Sequence, residues 1–239
     1  MAKIVVGNMK MLLTKYNIEN YLNLINKEKF ENIDLILCPS YIHIPMFNTE
    51  NYFLGAQDVF YKQIGAYTGE ISPMQLSDMG VRYAIIGHSE RRILFNETDD
   101  IINKKIDACL KEGINPIICI GENKEQKDMK RTSVVLKKQI VNALSNIKKS
   151  DFKNIIIAYE PVYSIGTGNI LKLDEIESNI KFIKKLLQNT FDCECKVIYG
   201  GSISVSNAKK IIEVSDGVMV GKLSSNAEEF INLLNNINK

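Results

Sequence analysis

The chain has 239 residues, and 45% of them are hydrophobic, so it carries enough apolar material for a sizeable core. Its 30 lysines and arginines nearly balance 28 aspartates and glutamates, which argues against nucleic acid or an anionic membrane as a partner. The apolar runs are too short for a membrane span, and the N-terminus lacks a signal-peptide pattern. The 5 cysteines and 2 histidines show no zinc-ligand spacing, so we predict reduced thiols, no metal and a cytoplasmic location.

Short apolar runs recur along the chain, and several of them are rich in isoleucine and valine without polar alternation. This pattern is typical of parallel strands that are covered on both faces. The predicted strands are Ile4–Met9, Ile33–Cys38, Tyr52–Gln57, Tyr83–Gly87, Asn115–Ile120, Ile155–Tyr159, Lys196–Tyr199 and Gly217–Val220.

Segments with apolar residues at helical spacing lie between these runs. Thr98 has the character of a helix N-cap, an apolar stripe follows from Ile102 to Leu110, and Gly113 is predicted to end that helix. A second stripe runs from Ile176 to Leu187. Further helices are predicted over residues 17–29, 130–148, 206–213 and 226–237, with shorter segments at 41–48 and 73–79.

Strands and helices therefore alternate along the whole chain, at about 30 residues per strand–helix unit. Eight such units favour a closed (β/α)8 barrel over an open, doubly wound sheet. Because no linker, low-complexity tract or block of charge interrupts the pattern, we predict that residues 1–239 form one domain.

Polar residues follow five of the predicted strands. In (β/α)8 barrels the functional site lies at the C-terminal ends of the strands, so we expect these residues to lie together. They are Asn8 and Lys10, then His88, Ser89 and Glu90, then Glu160, then Gly200, Gly201 and Ser202, and finally Gly221 and Lys222.

Six segments resemble motifs of the triosephosphate isomerase family, in that family's order and over almost the whole chain. They are GNMK (7–10), GAQD (55–58), AYTGEIS (66–72), IIGHSERR (85–92), AYEPVYSIGTG (158–168) and YGGS (199–202). The resemblance implies a TIM barrel, with eight parallel strands surrounded by helices. It also implies an aldose–ketose isomerase without a cofactor, which interconverts dihydroxyacetone phosphate and D-glyceraldehyde 3-phosphate through an enediol(ate) in glycolysis and gluconeogenesis.

The resemblance also assigns roles to residues of the predicted site. Glu160 would be the base, and His88, as a neutral imidazole, the electrophile; this family is itself a standard example of such acid–base tuning. Lys10 would place a positive charge and Asn8 a hydrogen bond near the developing oxyanion. For Glu90 two roles stay open, namely direct proton transfer and an ion pair that orients Lys10 or the arginines that follow it.

The glycines fit a phosphate group, because glycine allows close approach of the main chain. The expected substrate- and phosphate-binding residues are Asn8, Lys10, Gly166, Ser202, Gly221 and Lys222. By resemblance, the segment from Pro161 to Gly168 is a mobile lid that excludes water on closing, and its members are Pro161, Val162, Tyr163, Ile165, Gly166, Thr167 and Gly168. A loop with Thr68, Gly69 and Glu70 would reach the partner subunit's site, which implies a homodimer.

The chain departs from the family pattern at Met9, Leu12, Asp58, Tyr163, Asn169 and Lys222. We expect the Lys222 side chain to point away from the phosphate. Two other functions compete with isomerisation: a Schiff-base aldolase with Lys10 as nucleophile, and an inactive phosphate-binding or adhesive protein. The presence of both Glu160 and His88 argues against each of them. His43 is expected to lie at the surface or to cap a helix.

Overall fold

The fold is a closed barrel of eight parallel strands, seen in a computed structural model that describes residues 2–48, 50–164 and 171–238. The strands pair in chain order, and β8 returns to β1 through the pairing of Ile4 with Gly217. The predicted fold class is therefore confirmed. The strands are β1 Lys3–Asn8, β2 Ile33–Cys38, β3 Phe53–Ala56, β4 Tyr83–Ile86, β5 Asn115–Ile120, β6 Ile156–Tyr159, β7 Lys196–Tyr199 and β8 Gly217–Val220.

Each strand is buried on both faces, which explains its near-continuous apolar sequence. Alternate side chains point into the barrel, where they form a cluster of buried residues that includes Ile4, Val6 and Ile36. The side chains between them, such as Val5 and Leu35, belong to a larger cluster between the barrel and its helices. The interior of the barrel is thus filled with side chains, and a ligand has room only at its ends.

The α-helices among the described residues lie outside this barrel. Thr98 accepts a hydrogen bond from the Ile101 N–H, and Gly113 has a φ of 70°, so the predicted start and end signals of the fourth helix are confirmed. The helices are α1 Lys15–Ile25, α2 Pro73–Asp78, α3 Ser89–Leu94, α4 Asp99–Lys111, α5 Lys124–Asp128, α6 Thr132–Ala143, α7 Leu173–Phe191, α8 Val205–Glu213 and α9 Ala227–Asn238.

Two expectations from the sequence were wrong. The first helix was expected over residues 17–29, but it begins at Lys15, after a capping box made by Thr14 and Asn17, and ends at Ile25. His43 was expected at the surface or as a helix cap, but it is 3% exposed and lies inside a 3₁₀ helix, Tyr41–Met46. The loop after β2 folds back as this short helix, so its third residue faces the protein interior.

All five cysteines are buried and unpaired with one another. Within the part of the chain that the structure describes, no helix is long and apolar enough to cross a membrane. That residues 1–239 form one domain stays a prediction.

Candidate active site

A cavity of about 390 Å³ opens at the C-terminal end of the barrel. The strand ends bring together most of the residues that the sequence singled out, since the cavity is lined by residues that follow β1, β4, β6, β7 and β8. The lining includes Asn8, Lys10, His88, Glu160, Gly200, Gly201, Ser202, Gly221 and Lys222, together with Ile203, Ser204, Asn207, Met219 and Leu223.

Glu160 directly follows β6, and its side chain is almost completely buried, with 2% exposure. Its Oε2 atom has no hydrogen-bond partner among the described residues. Burial raises the pKa of Glu160 above its ordinary value, and this effect is partly offset by His88, the Cys119 thiol and Lys10. A carboxylate of raised basicity with one free oxygen is suited to accept a proton.

Glycines next to Glu160 make this position possible. A Cβ atom on Gly121 would lie 1.8 Å from the backbone oxygen of Glu160. The chain after β5 can therefore lie this close to the end of β6 only because residue 121 is glycine. A Cβ atom on Gly200 would lie 2.8 Å from the Glu160 Cγ atom. The first glycine of the YGGS segment thus leaves room for the carboxylate side chain.

His88 is the N-cap of α3, and its imidazole faces Glu160 with 3.5 Å between Nε2 and Oε1. The backbone N–H of Glu90 donates to His88 Nδ1 at 3.3 Å. Because Nδ1 accepts this hydrogen bond, Nε2 carries the proton of a neutral ring. Helix α3 begins at Ser89, directly behind His88. The ring therefore presents an N–H donor to the cavity.

Lys10 lies across the cavity from β6, where its ammonium group forms an ion pair with Glu90 Oε1. Glu90 is not part of the cavity lining, and its side chain is about half exposed. Its Oε2 lies 3.6 Å from His88 Nδ1. The Glu90 carboxylate therefore contacts Lys10 and His88 from outside the cavity lining.

The first residues of the expected lid are anchored to the barrel. Val162–Ser164 form a short 3₁₀ helix, in which the Ser164 N–H donates to the Pro161 carbonyl at 2.8 Å. The hydroxyl of Ser202 donates to the Ser164 carbonyl at 2.5 Å, a link that the sequence did not indicate. The remaining lid residues, Ile165, Gly166, Thr167 and Gly168, lie outside the described residues, as does Asn169.

The loop with Thr68, Gly69 and Glu70 lies outside the cavity that holds Glu160, with Thr68 exposed. Thr68 and Glu70 line a separate cleft of about 380 Å³. Lys222 is exposed and begins a 3₁₀ helix that ends at Ser225. The expected orientation of its side chain, away from the phosphate, stays a prediction.

A second group of charges is buried beside α3. Asp58, Arg91, Glu97 and Lys105 form what we call the buried quartet. Asp58 accepts hydrogen bonds from Lys105 at 2.7 Å and 2.8 Å and lies 2.9 Å from Arg91 Nε. Glu97 accepts from Arg91 at 2.6 Å and also pairs with Lys105. The departure at Asp58 is thus accommodated by an internal ion pair with a lysine of α4.

The chain matches the family model described as triosephosphate isomerase over residues 3–237. The chain belongs to the triosephosphate isomerase family. A triosephosphate isomerase of Alkaliphilus oremlandii is 38% identical, and the alignment covers 97% of this chain and 98% of that protein. One of Thermoanaerobacter sp. (strain X514) is 36% identical, with 97% and 98% covered. One of Dehalococcoides mccartyi is 40% identical, with 86% and 84% covered.

Membership of the triosephosphate isomerase family settles the reaction. The chain is an isomerase that interconverts dihydroxyacetone phosphate and D-glyceraldehyde 3-phosphate, an intramolecular oxidation–reduction of glycolysis and gluconeogenesis. The family resemblance of the six motifs is confirmed. The two competing functions, a Schiff-base aldolase and an inactive binding protein, are not favoured by any of these relatives.

Proposed function

We propose that Glu160 is the base that moves the proton in this isomerisation. Its Oε2 atom takes a proton from C1 of dihydroxyacetone phosphate, and the electron pair of that C–H bond forms the C1–C2 double bond of an enediolate. The π electron pair of the carbonyl group moves onto the C2 oxygen. A proton then passes from the hydroxyl group on C1 to the oxygen on C2, and the carboxyl group returns its proton to C2 while the electron pair on the C1 oxygen forms the aldehyde C=O bond, so that the enzyme is unchanged. The raised pKa of Glu160 supports this assignment, because a more basic carboxylate is a better proton acceptor.

We further propose that His88 and Lys10 stabilise the negative charge that develops on the carbonyl oxygen. The Nε2–H of a neutral His88 would donate to this oxygen, and the Lys10 ammonium would lie beside it. The Asn8 side chain would add a polar contact from the same strand end. The pairing of Lys10 with Glu90 supports an electrostatic role, since a protonated amine is not a nucleophile for Schiff-base chemistry.

For Glu90 we propose the orienting role rather than direct proton transfer. Its side chain reaches Lys10 and His88 from outside the cavity lining. A carboxylate in that position would fix the ammonium group and would not contact substrate carbon.

The phosphate is proposed to bind where the cavity is lined by Ser202, which follows β7, and by Gly221 and Lys222, which follow β8. Backbone N–H groups of these residues would bind the phosphate oxygens. Gly166 would join them when the lid formed by 161–168 closes, and closing would exclude water from the enediolate.

The observation that carries the assignment is the buried Glu160 carboxylate, which faces His88 Nε2 at 3.5 Å inside the cavity. The test is NMR of dihydroxyacetone phosphate incubated in D₂O with the native enzyme and with Glu160→Gln. The native enzyme should produce glyceraldehyde 3-phosphate with deuterium at C2. Glu160→Gln should slow this by roughly 10²–10⁴-fold, the usual contribution of a general base.

The matched control is Glu177→Gln, which removes a carboxylate of α7 that pairs with Lys181 on the helix surface. This variant should keep native activity. Native-like deuterium incorporation by Glu160→Gln would exclude Glu160 as the base.

We also propose that the protein is a homodimer. Met11, next to Lys10, is 91% exposed, and Ile64, in the loop before Thr68, is 82% exposed. Large apolar side chains of this exposure indicate a surface that another molecule covers. Sedimentation velocity should give a particle of twice the 27.1 kDa chain mass, and a monomer at micromolar concentration would contradict the proposal.

A cytoplasmic location and a single domain complete the proposal. Five free, buried thiols suit a reducing compartment. The barrel uses strands from Lys3 to Val220, and the family model matches 3–237, which supports one cooperative unit over residues 1–239. Calorimetry should therefore show one unfolding transition.

A further inference from the structure

Two cysteines, Cys193 and Cys195, lie one residue apart in the segment that joins α7 to β7. They are the least buried of the five cysteines, since each is 9% exposed, whereas Cys38, Cys109 and Cys119 are at most 1% exposed. Neither of the two lines the cavity that holds Glu160. The pair is therefore a reactive feature of the chain that the isomerisation does not use.

The two thiol groups lie in hydrogen-bond contact with each other. Each is also near a main-chain carbonyl oxygen: Cys193 Sγ is 4.0 Å from that of Leu187, and Cys195 Sγ is 3.5 Å from that of Phe152. Two residues of chain span at most about 7 Å. A disulfide bond joins residues whose Cα atoms are about 4.4–6.8 Å apart. The two sulfur atoms are therefore placed to form a bond with little movement of the backbone.

A positive charge lies next to this pair. The Lys149 ammonium group forms an ion pair with Asp192, the residue before Cys193, and Gln188 Nε2 donates to the same carboxylate at 2.9 Å. Burial raises the pKa of both thiols, to about 12 for Cys195. For Cys193 this effect is opposed by the hydrogen bond with Cys195 and by the Lys149 ammonium group. Cys193 is therefore the thiol of the pair that ionises more readily.

We propose that Cys193 and Cys195 are a redox-active dithiol, which small-molecule disulfides such as oxidised glutathione convert into an intramolecular disulfide bond. In a reducing compartment the pair stays as two thiols, and it closes when small-molecule disulfides accumulate. The site is independent of the isomerisation, because the pair lies before the N-terminal end of β7 and the cavity lies at the C-terminal ends of the strands.

The exchange proceeds in two steps. The Cys193 thiolate attacks one sulfur atom of oxidised glutathione, so that a bond forms between Cys193 and glutathione, the S–S bond of the reagent breaks and one glutathione thiolate leaves. The Cys195 thiol then loses its proton and attacks the Cys193 sulfur, which releases the second glutathione. Two electrons pass from the cysteine pair to the glutathione disulfide, and the two protons of the pair end on the two glutathione thiols.

Mass spectrometry of the native enzyme tests the proposal. The protein is incubated with oxidised glutathione under native conditions, the remaining thiols are blocked with N-ethylmaleimide in urea, and trypsin is added. Because trypsin cleaves after lysine, both cysteines lie in the peptide 186–196. This peptide should be two hydrogen atoms lighter than its reduced form and carry no maleimide. The three inaccessible cysteines, Cys38, Cys109 and Cys119, serve as internal controls and should all carry maleimide.

Single variants separate the two steps. In Cys195→Ser the second step is absent, so glutathione should remain attached to Cys193 as a mixed disulfide. In Cys193→Ser the first step is absent, and Cys195 should stay reduced over the same time. Reaction of Cys195 in Cys193→Ser at the native rate would overturn the assigned order of the two steps.

The activity of the oxidised enzyme shows whether the exchange takes place in the folded protein. Its kcat should equal that of the reduced enzyme, because the four residues of β7, about 13 Å in length, separate Cys195 from Gly200 at the cavity. A peptide 186–196 that carries two maleimide groups after the incubation would overturn the proposal. A disulfide bond that forms only in urea would overturn it as well, since the pair would then be unreactive in the folded enzyme.

Discussion

Two groups of charged residues each include a residue of α3, and they satisfy their charges differently. In the buried quartet, three of the four carboxylate oxygens of Asp58 and Glu97 contact a cation of Arg91 or Lys105. The group at the cavity consists of Lys10, His88, Glu90 and Glu160. Here Glu160 Oε1 faces the His88 imidazole, no lysine or arginine forms an ion pair with Glu160 among the described residues, and its Oε2 has no described hydrogen-bond partner.

The contrast separates charges that stabilise the fold from charges that are available for chemistry. Both groups contain carboxylates that are nearly inaccessible to water. Ion pairs with Arg91 and Lys105 offset part of the cost of burying Asp58, whereas Glu160 forms no ion pair with a lysine or arginine among the described residues; burial leaves the pKa of both carboxyl groups raised. Substitutions in the quartet should therefore change stability, and substitutions at the cavity should change catalysis. The predictions below test this separation.

After Glu160, the largest effect on catalysis is expected at His88. His88→Ala removes the Nε2–H donor that faces the cavity, and kcat should fall by roughly 10²–10³-fold, the loss typical of one oxyanion donor. The neutral ring forms no ion pair with a lysine or arginine among the described residues. The free energy of unfolding of His88→Ala should therefore change much less than that of the quartet variants. Steady-state kinetics and urea unfolding of the same sample measure both. A kcat within threefold of native would contradict the assignment.

The next effect concerns Lys105. Lys105→Met removes the cation that contacts both Asp58 and Glu97. The free energy of unfolding should therefore fall by about 3–5 kcal/mol, as it does when other buried ion pairs are broken. Molecules that remain folded should keep most of the native kcat. Urea unfolding and kinetics with active-site titration separate the two quantities.

Lys104→Met is the matched control for this variant, because the neighbouring side chain is exposed. It should change the free energy of unfolding by less than about 0.5 kcal/mol. A stable Lys105→Met variant with lost activity would place the quartet in the catalytic machinery and remove the contrast.

A pH-dependent effect is expected at Asp58. Burial raises the pKa of Asp58 from 3.8 to about 6, with Lys105 as the main opposing influence. A group whose pKa is raised by folding stabilises the protein below its unfolded pKa, and that contribution is lost as pH rises through the folded pKa. A shift of about two pKa units corresponds to about 3 kcal/mol.

Asp58→Asn does not titrate and serves as the reference. The unfolding free energy of the native protein, minus that of Asp58→Asn, should therefore decrease between pH 4 and pH 7. Urea unfolding at several pH values in this range measures the difference. A difference that is constant with pH would show that the Asp58 carboxyl group has an ordinary pKa in the folded protein.

The smallest effect is expected at Ser202. Ser202→Ala frees the Ser164 carbonyl from its hydroxyl partner and should cost about 1 kcal/mol of stability. The Ser202 N–H, the proposed phosphate ligand, remains, so KM should rise by less than about threefold. The control Ser206→Ala removes an exposed hydroxyl that contacts the Ser204 hydroxyl. A tenfold rise in KM would assign the Ser202 hydroxyl to the substrate.

The sequence predicted the barrel well because each strand is buried on both faces and bounded by polar residues. Four predicted strands, among them Ile33–Cys38 and Gly217–Val220, have the observed bounds, and the others differ by one residue at one end or at both ends. Local caps were harder to predict. The capping box of Thr14 and Asn17 lacks the usual glutamate or glutamine, and it moved the start of α1 by two residues.

Contacts between distant segments could not be predicted. Asp58 was recognised only as a departure, because its partner Lys105 lies 47 residues away on another helix. The hydrogen bonds from Ser40 and Gln57 to the Lys10 carbonyl span 30 and 47 residues. Positions at strand ends predicted which residues meet, since all strands of the barrel point the same way. They carried no information on which side chains would hold the backbone of another residue.

The most direct test of the contrast is to measure stability and activity together for Glu160→Gln at pH 8. The pKa of Glu160 is raised by folding, so its ionised form destabilises the folded protein at this pH, and a neutral isostere removes that effect. We expect a variant that is at least as stable as the native enzyme in urea and has lost most of its kcat. A variant that unfolds more readily than the native enzyme would show that the Glu160 charge stabilises the fold, and would contradict the account.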